Sequence, residues 1–86
     1  MSIVTELYQN ITISQNAINQ KLAEINLTLS ELNRLGGEVQ RLLGGSPTGT
    51  DKKLLSKLNE TVKELQKTKQ TLESAKTDLE RVKRTL

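Results

Sequence analysis

Residues 4–39 read VTELYQNITISQNAINQKLAEINLTLSELNRLGGEV, and every seventh residue from Val4 onward is aliphatic. These six positions are Val4, Ile11, Ile18, Ile25, Leu32 and Val39, and a companion set supplies Leu7, Leu22, Leu29, Leu35, Leu42 and Leu43. Apolar residues at this spacing lie along one face of an α-helix. The pattern predicts a single amphipathic helix over residues 3–43, about 60 Å long, with Ser2 as its N-cap.

A second series of the same period follows, and it predicts a second helix over residues 51–86. Its apolar stripe is formed by Leu55, Leu58, Val62, Leu65, Thr68, Leu72, Ala75, Leu79, Val82 and Leu86. On the opposite side, acidic residues precede basic residues by three positions, as in Glu60 with Lys63 and Asp78 with Arg81. Each such pair contributes about 0.3 kcal/mol to a helix. This face is therefore predicted to be solvated.

Residues 44–50, GGSPTGT, separate the two helical patterns and contain the chain's only proline. Glycine admits positive φ and proline lacks a backbone donor, so Gly45, Pro47 and Gly49 predict a turn. Gly44 is the expected left-handed stop of the first helix, and Thr50 is the expected N-cap of the second. The predicted fold is an all-α antiparallel two-helix hairpin, one domain over residues 1–86, that forms a helical bundle by oligomerisation or partner binding.

Gly36 and Gly37 lie inside the first helical pattern, where each glycine costs about 1 kcal/mol relative to alanine. The aliphatic series keeps its phase from Leu32 to Val39, which favours a continuous helix. A kink and a close approach of another backbone are the two alternatives.

Lys69 and Lys76 occur beside the leucine series of the second helix, where a coiled coil would place apolar residues. A straight helix of 3.6 residues per turn would let the stripe drift to Thr68 and Ala75 instead, and we favour this drift. The alternative is that the lysines specify the partner or register at an oligomer interface.

Composition excludes several classes of function. The chain contains no His, Cys, Trp or Phe, so the usual general base, thiolate nucleophile and nitrogen or sulfur metal ligands are missing. We therefore predict no enzyme activity, no catalytic residue, no metal site and no cofactor. Residues 51–86 carry ten basic and six acidic residues, but the two signs alternate and no aromatic is available for base stacking, which argues against nucleic acid.

No apolar run approaches 18 residues, and the first twenty residues lack the features of a cleaved signal peptide. The expectation is a protein without membrane insertion that is cytoplasmic, with secretion that uses no cleaved signal as the alternative.

With one aromatic and 34% apolar residues, the chain lacks the material for a deep core of its own. We therefore predict a homo- or hetero-oligomer. The predicted partner interface is Leu7, Tyr8, Ile11, Ile18, Leu22, Ile25, Leu29, Leu32, Leu58, Val62, Leu65, Leu72 and Leu79.

The first helix is the longer one, so about seven N-terminal residues should overhang, with Leu7 and Tyr8 available to a second chain. Residues 7–20 carry no charge, which favours an interface. A frayed helix end and an extended segment are the alternatives.

On these features the chain resembles the small Trp-x-Gly helical hairpins of bacterial type VII secretion and the helical partners of toxins of that pathway. The matching segment is Gly45-Ser46-Pro47-Thr48-Gly49, in which Gly49 matches the glycine and Pro47 stands in place of the tryptophan. The tail of residues 80–86 lacks the aromatic-x-x-x-acid signal that such hairpins often carry. The resemblance implies pairing with a like hairpin or an effector's helical domain, as an adaptor or chaperone. Type III needle subunits share the outline, so a self-assembling structural subunit is the alternative function.

Overall fold

A computed structural model describes residues 2–45 and 49–86, and it consists of two long helices. Helix α1 spans Ile3–Leu43 and helix α2 spans Thr50–Thr85. The Cα atoms extend over 67 × 15 × 12 Å, and their radius of gyration is 19.5 Å, whereas a compact chain of this length has about 12 Å. The predicted antiparallel hairpin is confirmed.

The N-terminus of α1 is capped as predicted, whereas its C-terminus differs from the prediction. The Ser2 Oγ accepts a hydrogen bond from the Thr5 amide at 3.1 Å. At the other end Gly44 has φ −58°, and its N–H donates to the Gln40 carbonyl at 2.9 Å. The left-handed residue comes one position later, at Gly45 with φ +83°. Gly44 is thus still hydrogen-bonded to the helix, and the first residue with positive φ after the helix is Gly45.

Helix α2 begins one residue earlier than predicted. Gly49 is its N-cap, with φ +69°, and the Gly49 carbonyl accepts from the Lys53 amide at 3.3 Å. A left-handed N-cap suits glycine because it has no β-carbon to clash with the backbone. Thr50, predicted as the cap, is instead the first helical residue. The predicted turn residue Pro47 lies outside the described residues, as do Ser46 and Thr48.

Helix α1 continues without interruption through both segments for which alternatives remained open. Gly36 and Gly37 are helical, so the predicted continuity is confirmed and a break of the helix is excluded. Residues 7–20 are helical as well, which excludes the extended conformation. A β-carbon added to Gly36 would lie 3.9 Å from Leu55 Cδ2, an ordinary van der Waals contact, so the two backbones do not require glycine there.

The two helices meet along a seam that repeats every seven residues. In α1 the seam consists of Ile11, Gln15, Ile18, Leu22, Ile25, Leu29, Leu32, Gly36, Val39 and Leu43. In α2 it consists of Leu55, Leu58, Val62, Leu65, Lys69, Leu72, Lys76, Leu79 and Lys83. The spacing alternates between three and four residues throughout, which is the pattern of a coiled coil. Among the described residues only Gln15 is buried, and every other seam residue is half-buried.

Each ion pair of the described residues joins two residues of the same helix. Asp78 pairs with Arg81 at 3.6 Å, as the sequence predicted. Glu60, however, pairs with Lys57 at 3.6 Å, and not with the predicted Lys63. Exposed pairs of this kind contribute little, so the attraction between the helices comes mainly from the seam.

Candidate interaction surface

The structure divides the predicted interface residues into a larger group on the seam and a smaller group, Leu7 and Tyr8, that is exposed. The larger group lies on the seam and contacts the other helix of the same hairpin: Ile11, Ile18, Leu22, Ile25, Leu29, Leu32, Leu58, Val62, Leu65, Leu72 and Leu79. These side chains form the hairpin's own core, yet each stays half-exposed. Of the companion leucines that the sequence placed in one series, Leu7, Leu35 and Leu42 lie beside the seam and are exposed.

The lysines of α2 contradict the predicted drift of the apolar stripe. Lys69 is half-buried on the seam, whereas Thr68 is exposed. Lys76 and Lys83 continue the same line at seven-residue intervals, and Ala75, the other residue of the predicted drift, is half-buried beside Lys76. The helices therefore keep a coiled-coil repeat. Lysine fits this repeat because its aliphatic stem covers apolar surface while the amine extends toward water.

A polar cluster lies on the seam near the open end of the hairpin. The Gln15 amide nitrogen donates to Glu80 Oε2 at 2.8 Å, and the Lys83 amine donates to Gln15 Oε1 at 3.3 Å. The Lys83 amine also lies 4.5 Å from the centroid of the Tyr8 ring, within cation–π range. Tyr8 thus contacts α2 and does not lie beyond its end, which corrects its predicted place on the overhang.

Sequence reasoning missed Gln15, although a signal for it exists. Tyr8, Gln15, Leu22, Leu29 and Gly36 are spaced by seven, and this row is the second line of the α1 seam. A search for aliphatic residues at intervals of seven does not find this row, because three of its five residues are not aliphatic. Glu80 could not be found in this way, since it lies outside the seam rows and reaches Gln15 only in the folded hairpin.

The cluster leads to a test with a matched control. We expect Gln15→Ala to destabilise the hairpin by about 1 kcal/mol, because Glu80 and Lys83 lose their shared partner. Gln20→Ala makes the same change at an exposed position of the same helix, so it controls for helix propensity. Urea unfolding followed by circular dichroism measures both variants. Equal effects would show that the cluster does not couple the helices.

Beside the seam, the hairpin presents two flanks of different chemistry. The apolar flank comprises Leu7, Ser14, Lys21, Thr28, Leu35 and Leu42 of α1, with Leu54, Thr61, Thr68, Ala75 and Val82 of α2. The amide flank comprises Thr5, Thr12, Asn19, Asn26, Asn33 and Gln40 of α1, with Lys52, Asn59, Gln66, Glu73 and Glu80 of α2. Each residue of the apolar flank directly precedes a residue of one seam row, and each residue of the amide flank directly follows a residue of the other row. In an antiparallel pair, the preceding residues of both helices lie on one side of the seam and the following residues on the other, so each flank is contiguous.

The exposed aliphatic side chains are distributed unequally between these flanks. Five of the large exposed apolar residues belong to the apolar flank: Leu7, Leu35, Leu42, Leu54 and Val82. None belongs to the amide flank. The others lie at the open end, as Ile3, Val4, Tyr8 and Leu86, or point away from the seam, as Ile13 and Leu27. One side of the hairpin is therefore much more apolar than the other.

The described residues contain no group of three or more carboxylates that could hold a metal ion. In the part of the chain that the structure describes, neither helix has a stretch both long and apolar enough to cross a membrane. Comparison with protein-family models, with curated proteins and with solved structures finds no match to this chain.

Proposed function

We propose that this chain is a protein–protein interaction module that pairs with a second helical protein to complete a helical bundle. One observation carries the proposal: among the described residues no apolar side chain is buried. The stripe of a core-facing helix is wider than the contact that one neighbouring helix provides. Each helix of this hairpin has a single neighbour, so the seam leucines stay half-exposed until another element packs against them.

The surface chemistry supports binding rather than catalysis as the proposed activity. In α1 the charged side chains are largely engaged in ion pairs within the helix, as Lys21 with Glu24 at 3.3 Å and Arg34 with Glu31 at 3.1 Å. On α1 these pairs leave mainly aliphatic, hydroxyl and amide groups as the unengaged surface. Such a surface can enter an interface without the cost of desolvating a free charge.

We further propose that the partner is a like hairpin or the helical domain of an effector, and that this chain acts as an adaptor or chaperone. The two-helix architecture supports this narrower role, as does Gly49, whose φ of +69° immediately before α2 suits the glycine of the Trp-x-Gly turn. A self-assembling structural subunit is the competing role, and it predicts open polymers instead of a small assembly.

A dilution series tests the proposed function on the unmodified chain. Light scattering gives the mass and circular dichroism gives the thermal midpoint, from hundreds of micromolar to below one micromolar. We expect both quantities to fall on dilution, because pairing stabilises the folded chain by mass action. A monomer whose thermal midpoint is the same at every concentration would overturn the proposal. A mass that grows without limit would favour the self-assembling subunit.

A further inference from the structure

We infer that the apolar flank is the surface on which a second copy of this chain packs, forming a two-fold symmetric four-helix dimer, while the amide flank stays in water. The inference rests on the proposed function and adds the face and the partner. The exposed fractions of the side chains motivate it: Leu35 is 44% exposed and Leu42 is 66% exposed on the apolar flank. At the same levels of α1, the amide flank presents Asn33 and Gln40.

The threonine hydroxyls of the apolar flank are already satisfied inside the hairpin. The Thr28 hydroxyl donates to the Glu24 carbonyl at 3.0 Å, and Thr61 and Thr68 donate to the carbonyls four residues earlier at 3.1 Å. These three threonines therefore present their methyl groups outward without an unpaired hydroxyl. Burying them against another chain leaves no broken hydrogen bond.

In the part of the chain that the structure describes, the asparagine side chains of the amide flank have no such internal hydrogen bonds. Within the described residues, the side-chain amides of Asn19, Asn26 and Asn33 have no hydrogen-bond partner in the hairpin, so water must solvate them. A partner on this side would have to replace that water at every amide. An apolar partner would leave the amides unpaired, at a cost for each one.

The arrangement along the apolar flank is self-complementary. Its aliphatic residues lie at the two ends, with Leu35, Leu42 and Leu54 near the turn and Leu7 and Val82 near the open end. Small or hydroxyl-bearing residues and Lys21 occupy the middle. A two-fold rotation, either along the hairpin or across it, places aliphatic ends on aliphatic ends and the middle on the middle. Isologous association requires this symmetry.

Charge also permits two copies to meet on this face. The chain has a net charge of +3, which opposes the association of two copies. Lys21 is the one charged member of the apolar flank, and its amine pairs with Glu24 of the same helix at 3.3 Å. The flank itself therefore adds little repulsion, although Lys69, Lys76 and Lys83 carry positive charge in the α2 seam row next to it.

The area available matches what a dimer needs. The hairpin exposes 6520 Å², whereas a compact monomer of 9.6 kDa exposes about 5,100 Å². The excess of about 1,400 Å² exceeds the roughly 800 Å² that each partner contributes to a standard interface. The 67 Å length of the hairpin gives the flank room for a contact of this size.

The test compares charges introduced on the two flanks of the full chain. One variant carries Leu35→Glu and Leu42→Glu, and its control carries Asn33→Glu and Gln40→Glu at the same levels of α1. Sedimentation velocity over a range of concentrations gives the dimer dissociation constant. We expect the first variant to raise this constant by about a hundredfold or more, since four leucines leave the interface of each dimer. The control should change it by less than about threefold.

A third variant, Thr28→Leu, enlarges the apolar flank and should strengthen the dimer. A folding defect could not produce this result. We expect the variant to tighten the dimer by about tenfold. Circular dichroism confirms that each variant remains helical. Unchanged dimerisation of the variant that carries Leu35→Glu and Leu42→Glu would overturn this inference alone. A wild-type chain that is monomeric at every concentration would overturn the proposed function together with it.

Discussion

Aspartate in place of Ile25 or Leu65 is expected to abolish helicity and assembly together. Both side chains lie on the seam, in the middle third of the hairpin, and both are half-buried. Each substitution removes apolar contact and places a carboxylate between the helices. The combined cost is about 3 kcal/mol. Chains of this size draw only about 3–5 kcal/mol from their core, so either substitution removes most of the stability.

The neighbouring residues provide matched controls for this prediction. Asn26→Asp and Gln66→Asp introduce the same charge one residue away, on the exposed amide flank. They should change the unfolding free energy by less than about 0.5 kcal/mol. Far-UV circular dichroism measures helicity and light scattering measures mass. If the Ile25 and Leu65 variants retained wild-type helicity and mass, the seam would not be the core of this protein.

Alanine at both Gly36 and Gly37 is expected to raise the thermal midpoint by about 10 °C. Each replacement inside a helix gains about 1 kcal/mol, because alanine loses less backbone entropy than glycine on folding. A chain of this length converts 1 kcal/mol into about 4–8 °C. The structure leaves room for both methyl groups: the Gly36 β-carbon would lie 3.9 Å from Leu55 Cδ2, and that of Gly37 has no atom within 4 Å.

The same substitution at Gly45 is a control for which the opposite change in stability is expected. Its φ of +83° lies in the left-handed region, where alanine is strained although no atom lies within 4 Å of the added β-carbon. Gly45→Ala should therefore lower the stability by about 1 kcal/mol. Thermal unfolding followed by circular dichroism measures all of these variants. A lower midpoint for the Gly36 and Gly37 variant would mean that the helices approach each other more closely at this level than the hairpin shows.

Several features of the candidate surface could be read from sequence because they depend on local spacing. The aliphatic residues at intervals of seven predicted α1 to its observed bounds, Ile3–Leu43, and identified seam residues such as Ile25 and Leu65. Ser2 was identified as the N-cap because a hydroxyl before an apolar periodic segment satisfies a free amide of the first turn. These interactions connect residues only a few positions apart.

Other features depend on residues that are distant in sequence, and local patterns could not predict them. Lys69 and Thr68 are adjacent, and a straight helix favours Thr68 in the stripe, whereas the presence of α1 keeps Lys69 on the seam. Gln15 is buried because Glu80 and Lys83 of the other helix satisfy its amide. The end of the first helix depends on φ at Gly44 and Gly45, two identical residues between which sequence spacing cannot choose.

The amino-acid sequence alone determined that this protein is two long helices joined near its middle, since a seven-residue aliphatic repeat and a single cluster of helix breakers admit no other arrangement. Only the tertiary structure decided which leucines the hairpin covers and which it leaves on one flank. The reason is geometric: sequence spacing places Leu35 and Leu42 within the apolar half of α1, but the direction from which α2 packs selects Gly36 and Leu43 for the seam and leaves their neighbours in water.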